Sequence, residues 1–310
     1  TILPSLFDHC VAVLALQRLA AVPALINFRL APQEIKGMLL DGGMLGVIAL
    51  PDDELVSTVR DCLPSNGFIM TVKTAVPGAD CFVACRGDIA SLPCPISAPD
   101  DPAFIFYTSG TTGHPKGVPS SHRKILNALL SWELDAKLNV ELGYISSSTS
   151  VNQPATLLGV PLFHATGSHA VMRASYRPQR KIVSMRKWEV EQAAFLIQKE
   201  QISSFVGPAT MTGDPERFAR ASKYDLSSMI VIGGGGSPRA PEQVKQIDKS
   251  FTAALPSTGW GMTETNAIGV GIAGTDYFEH PCSSGRFSAI IDLRVMDEFG
   301  IELGRNAIGE

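Results

Sequence analysis

Apolar and polar positions in the first fifty residues switch repeatedly between a helical period and strand-length apolar runs. Val11 to Leu19 is helix-like, Ala24 to Phe28 is a short β-like run, Pro32 to Leu40 is helical, and Gly46 to Ala49 is again strand-like. That rhythm predicts βαβ units, and therefore a parallel sheet covered by helices. The ends of the helices carry their own signals. Asp8 can cap the first, and Pro32 opens the second, which closes at Asp41-Gly42-Gly43.

From Cys62 to Pro102 the chain is rich in proline, glycine and serine. Residues 97–102 read as a linker into a short aromatic strand, Phe104 to Tyr107. A boundary there divides an α/β subdomain over 1–98, incomplete at its N-terminal side, from a second α/β subdomain over 99–288. The second holds a helix near Ile125 to Asp135, a strand Leu157 to Pro161, a helix Glu189 to Glu200 and strands Ser204 to Val206 and Met229 to Ile232. A helix Pro241 to Ser250 follows. Ala289 to Val295 and the turn Asp297-Glu298-Phe299-Gly300 predict strand, turn and strand, so 289–310 is expected to begin a small β element.

Composition narrows the class. With 310 residues, 45% hydrophobic, 18% charged and a net charge of -4, the chain can bury a large core without staples. No block of lysine and arginine marks a nucleic-acid surface. The cysteines Cys10, Cys62, Cys81, Cys85, Cys94 and Cys282 form no CxxC pair or zinc pattern, and they read as reduced thiols of a cytoplasmic protein. No apolar stretch reaches the ~20 residues needed to span a bilayer. A homodimer stays open, and the start at Thr1 suggests that an upstream portion is missing.

The densest chemistry lies in Tyr107-Thr108-Ser109-Gly110-Thr111-Thr112-Gly113-His114-Pro115-Lys116-Gly117. Three glycines, four aliphatic hydroxyls and a lysine fall within eleven positions that end a short apolar strand. Glycine lets backbone amides approach an anion, hydroxyls add donors, and lysine adds a mobile charge. A Walker A loop does not fit, because Pro115 precedes the lysine and Gly117 follows it.

This stretch resembles the phosphate-loop signature of the adenylate-forming superfamily, whose members include acyl-CoA synthetases, luciferases and amino-acid adenylation domains. Three further stretches resemble that family in its order. Pro161-Leu162-Phe163-His164 is similar to the segment whose histidine borders the acyl pocket. Gly233-Gly234-Gly235-Gly236-Ser237-Pro238 is similar to the adenine-side loop. Ser257-Thr258-Gly259-Trp260-Gly261-Met262-Thr263-Glu264-Thr265 is similar to the [YW]GxTE motif.

The resemblance implies an α/β fold, the large domain of an acyl-CoA synthetase, and residues with given roles. His164, Thr263, Glu264 and Lys116 would be catalytic. Thr108, Ser109, Gly110, Thr111, Thr112, Gly113, Lys116, Gly235, Gly236, Ser237, Pro238, Gly259, Trp260, Gly261, Met262 and Thr263 would hold ATP. Glu264 would hold Mg²⁺, which prefers oxygen ligands shared with phosphate. His164, Gly167, Val206, Gly207, Gly233, Gly234 and Gly259 would line the acyl pocket.

The implied substrates are a carboxylic acid, ATP and coenzyme A. A fatty acid is the first choice and an aryl or arylpropenoic acid the second. A silent nucleotide- or acyl-binding protein and a luciferase-like enzyme are the other classes the fold admits. Family members continue past the position of Glu310 to a ribose-binding aspartate, a hinge and a small domain. The chain as given is therefore expected to bind nucleotide weakly and adenylate poorly. The triplet Thr212-Gly213-Asp214 lies out of order for the ribose motif and reads as a loop.

Overall fold

A computed structural model describes residues 1–310 apart from 86, 89, 91, 93, 94, 110–113, 146–151, 213–222 and 252–253, and apart from the side chains of 248–250. Gly110, Thr111, Thr112 and Gly113 of the loop, the Gly213-Asp214 pair and Cys94 therefore lie outside the described residues.

The strands in chain order are β1 (Ala24–Leu25), β2 (Gly46–Ala49), β3 (Phe68–Thr71), β4 (Asp80–Cys81), β5 (Pro102–Thr108), β6 (Lys116–Ser121) and β7 (Ala155–Leu158). They continue with β8 (Lys181–Ser184), β9 (Ser204–Gly207), β10 (Val231–Gly234), β11 (Leu255–Gly261), β12 (Gly269–Ala273) and β13 (Arg286–Phe287). They form three sheets, ordered β2-β3-β4, β1-β5-β6 and β13-β12-β11-β10-β9-β7-β8. In the largest, β8, β7, β9, β10 and β11 run parallel, and β12 and β13 close one edge antiparallel.

Helix α1 spans Phe7–Arg18, α2 Pro32–Asp41, α3 Asp53–Arg60, α4 His122–Glu141 and α5 Val190–Glu200. A parallel sheet needs cover on both faces, and β7 shows why: all four of its residues are buried. Ala155 and Leu157 pack with Ala193, Ala194 and Ile197 of α5 and with Ile247 of the helix Pro241–Ser250. Leu158 faces a second core with Val13, Phe104, Phe106 and Met172, which ties the large sheet to β5. A third core, with Ile35, Val47, Val56 and Ile69, joins α2 and α3 to β2 and β3.

Several local expectations change. Leu6, not Asp8, is the N-cap of α1, and Asp8 lies in its first turn. Residues 62–102 hold β3 and β4 besides turns. Strand β1 pairs with β5, so one sheet draws on both sides of residue 98. Ala289 to Val295 forms no strand; the pairing there is one antiparallel bridge, Met296 to Glu302. That stretch has alternating side chains but no neighbouring strand to pair with, and a strand needs a partner for its backbone groups. None of the five described cysteines is in a disulfide.

Candidate functional site

The carboxyl ends of β9, β10 and β11 lie side by side. Val206, Gly233 and Ser257 share one register level, and Gly207, Gly234 and Thr258 share the next. Ligands of open parallel sheets bind in the crevice outside these ends. What distinguishes the ends here is missing side chains. A Cβ on Gly233 would stand 2.8 Å from Val206 Cγ2, and one on Gly234 would stand 3.0 Å from Thr258 Oγ1 and 3.1 Å from Arg239 Nη2. Gly235 and Gly236 face open space, and Gly236 has φ +77°, a left-handed conformation that favours glycine. The loop is anchored: the Gly235 amide donates to Gly207 O at 3.3 Å, and the Ala209 amide donates to Ser237 Oγ at 3.1 Å. Pro238 stands exposed beside it.

Strand β11 carries the third motif out of the sheet. Gly259, Trp260 and Gly261 pair with Gly271, Val270 and Gly269 of β12. A Cβ on Gly259 would meet Val270 O at 2.8 Å, so glycine is required for that approach. The Trp260 ring is 52% exposed, and Met262 beside it is also exposed. A single 3-10 turn, Thr263–Thr265, follows, held by the Met262 amide donating to Thr265 Oγ1 at 3.0 Å. It ends in two left-handed residues, Asn266 at φ +57° and Ala267 at φ +64°. Thr263 is half-buried and Glu264 is exposed.

Strand β6 packs against this turn. Its first residue, Lys116, pairs across the hairpin with Thr108, and Ser109 lies next to it in the connection. The start and end of the hydroxyl- and glycine-rich loop thus lie on a strand pair that touches the Thr263–Glu264 turn.

His164 follows β7 and leads into the π-helix Thr166–Met172, which packs on β7 and β9. π-helical turns concentrate at functional sites. Its backbone carbonyl accepts from Ser168 at 3.0 Å, and its ring lies 4.7 Å from that of Phe163. His164 is exposed, and partial desolvation by these neighbours shifts its imidazole pKa below the ordinary value. Gly167 is buried against Pro161 O, with no room for a Cβ. Val206 packs on the core that holds Ala165 and Met172, which puts the His164 segment along the β9 edge of the crevice.

One residue escaped the sequence reading. Arg239 is 7% exposed, donates to Thr212 Oγ1 at 2.7 Å, and touches the space above Gly234. Its Nε and Nη1 have no hydrogen-bond partner among the described residues, and burial lowers its pKa. The Ser-Pro-Arg-Ala-Pro setting reads as a turn and carries no hint of a buried guanidinium.

No group of three or more acidic, histidine or cysteine side chains is gathered among the described residues. Mg²⁺ does not need one, since it is held by one or two carboxylates together with water and substrate phosphates. The exposed Glu264 carboxylate, next to the half-buried Thr263 hydroxyl, fits that donor set.

Residues 1–310 match the family model described as AMP-binding enzyme. The Mycobacterium tuberculosis long-chain-fatty-acid–CoA ligase FadD13 is 28% identical over 308 residues, covering 97% of this chain and 56% of that protein. The 4-chlorobenzoate–CoA ligase of Pseudomonas sp. is 31% identical over 209 residues, 66% of this chain and 36% of that protein. Arabidopsis thaliana 4-coumarate–CoA ligase 1 is 26% identical over 286 residues, 89% of this chain and 46% of that protein.

Among solved structures, a putative long-chain-fatty-acid CoA ligase from Rhodopseudomonas palustris superposes with TM-score 0.82 at 20% identity, covering 99% of this chain and 72% of that one. The N-terminal domain of Mycobacterium tuberculosis FACL13 gives 0.75 at 23%, covering 97% and 71%. These are likenesses of fold. The chain belongs to the AMP-binding enzyme family and has the fold of the large N-terminal domain of adenylate-forming enzymes. It spans about half the length of the curated relatives it matches.

Proposed function

We propose that the protein activates a carboxylic acid by adenylation and transfers the acyl group to coenzyme A. The observation that carries this reading is the meeting of a glycine-cleared crevice on β9, β10 and β11 with the Trp260–Glu264 turn and the β5–β6 hairpin.

In the first step a carboxylate oxygen attacks the α-phosphorus of ATP. The bond from that phosphorus to the bridging oxygen breaks, and pyrophosphate leaves with the electron pair. In the second, the thiolate of coenzyme A attacks the acyl carbon, the acyl C–O bond breaks, and AMP leaves. Neither step needs a protein nucleophile. Trp260 offers an exposed aromatic face to adenine, and the Gly235–Gly236 backbone faces open space. Thr108, Ser109 and Thr263 supply hydroxyl donors and Lys116 a positive charge where phosphate charge develops, which is stabilisation by position. Mg²⁺ held by Glu264 and the phosphates would neutralise charge on the departing pyrophosphate. His164 forms a wall or gate of the acyl side, its imidazole shifted toward the neutral form by desolvation.

The acid is a fatty acid in our reading. Support comes from one relative matched over nearly this whole chain, a long-chain-fatty-acid–CoA ligase. Acyl-sulfamoyl-adenosines mimic the acyl-adenylate and bind without turnover, so calorimetry on this 310-residue chain tests the reading. A dodecanoyl analogue is expected to bind at least about tenfold tighter than a 4-hydroxycinnamoyl analogue or AMP. Tighter binding of the cinnamoyl form would move the substrate to the aryl class. No binding of any adenosine ligand would overturn the adenylation reading.

A further inference from the structure

Helix α4 leaves an apolar stripe in water. Leu126, Leu130, Leu134 and Leu138 are 56, 47, 42 and 45% exposed and recur every four residues, and Leu142 just past the end is exposed as well. The opposite side of α4, with Ile125, Ala128 and Ser131, is buried and already serves the fold. Single exposed leucines need no explanation, but a continuous row along a 20-residue helix marks an interaction surface.

The charges on α4 identify the occupant. Its first turn has no acid and its last turn no base; Arg123 and Lys124 stand at the start and Glu141 at the end. This arrangement opposes the helix macrodipole, which favours acids at the N-terminus and bases at the C-terminus. Helix stability alone therefore gives no reason for it. Arg123 and Glu141 are separated by about five whole turns, so they point the same way, along the middle of the leucine stripe. Arg123 also holds Asp100 in an exposed two-pronged pair at 2.8 and 3.0 Å.

Laid antiparallel on a second copy about the level of Trp132, α4 complements itself. Leu126 falls over the other Leu138, Leu130 over Leu134, and Arg123 over Glu141, while the two helix dipoles oppose. We infer that α4 is the seam of a two-fold homodimer of this chain, an isologous contact closed by leucines and bounded at each end by an Arg123–Glu141 pair. One helix about 30 Å long offers less than the ~800 Å² per partner of a standard interface, so association falls in the micromolar range. The inference is independent of the reaction.

Sedimentation velocity on the 310-residue chain, from about 1 to about 100 μM, is the test. The mass is expected to rise with concentration from 33.1 kDa to twice that value. Leu130→Glu with Leu134→Glu removes the dimer while the melting temperature holds, because both side chains are exposed. Should that variant misfold, charge reversal decides: Glu141→Arg weakens dimerisation at least about tenfold, and adding Arg123→Glu restores it. The lost Asp100 contact is an exposed, solvent-screened pair, too weak to unfold the chain. A monomer at every concentration overturns the inference, as does a dimer untouched by either set of substitutions. Co-sedimentation of a monomeric chain with phosphatidylcholine vesicles would assign the stripe to a lipid surface and likewise overturn it.

Discussion

Two parallel sheets in this chain are built alike and finish differently. In the small one, β2 and β3 pair over four residues each, and their carboxyl ends run into Ala49, Thr71 and Val72, all fully buried. In the large one, β9, β10 and β11 end in Val206-Gly207, Gly233-Gly234 and Ser257-Thr258-Gly259. Both alternate strand with helix, so βαβ construction alone makes no site. The candidate site lies only where glycines stand at three adjacent strand ends and the last of these strands, β11, leads into a turn with a hydroxyl and a carboxylate.

The contrast can be broken from either side. In the small sheet, Ile69→Ala should cost about 2 to 5 kcal/mol in chemical denaturation, because Ile69 is 2% exposed in the third core. The same variant, refolded at low temperature, should bind an acyl-adenylate mimic with unchanged affinity. In the large sheet the reverse is expected. Gly234→Val pushes methyl groups toward Thr258 and Arg239 and into the crevice, and calorimetry should show the mimic bound about 100-fold more weakly, about 2.7 kcal/mol. Equal losses of binding in both variants would erase the distinction.

A smaller effect separates the cores by pH. His169 is fully buried against the rings of Phe104 and Phe106, at 5.5 and 5.0 Å, and among the described residues its nitrogens make no hydrogen bond of good geometry. Burial, and then the charge of Arg173, lower its pKa from 6.5 to about 3. The folded protein keeps it neutral while the unfolded chain takes a proton below about 6.5. Its stability contribution is therefore whole above that pH and is lost as pH falls toward 3, at about 1.4 kcal/mol per unit. His169→Phe should flatten the fall in melting temperature between about pH 7 and about pH 5. A parallel fall in both proteins would mean that His169 is not the titrating group; His9, also lowered to about 3, would then be the next to replace. Smallest of the four, Asp52→Ala should cost about 1 kcal/mol, since Asp52 caps α3 by accepting from the Leu55 amide at 2.8 Å.

What could be read in advance followed physical signals of different strength. Helices α2 and Pro241–Ser250 begin at the prolines that announced them, because a fixed φ and a missing amide suit a first helical turn. Strand β2 was legible as an unbroken apolar run. The strand expected at Met229 to Ile232 lies instead at Val231–Gly234, since pairing with β9 and β11 recruits two glycines that no strand propensity favours. Strands β11 and β12 were invisible for the same reason, their glycines being chosen for close backbone approach. Helix α3 was not read in the sequence because it is short, although Asp52 caps it and Val56 and Val59 are buried at helical spacing. The motif residues around His164, Gly233 and Glu264 stood out by their resemblance to the family's motifs, whereas Arg239 needed the fold to reveal that it is buried.

Hydrogen exchange of this chain with and without an acyl-sulfamoyl-adenosine tests the central contrast most directly. Protection is expected at the amides of Gly233 to Gly236 and of Thr258 to Glu264, with none gained in β2, β3 or β4. Protection centred on the small sheet, or saturated ligand with no change at these glycines, would contradict it.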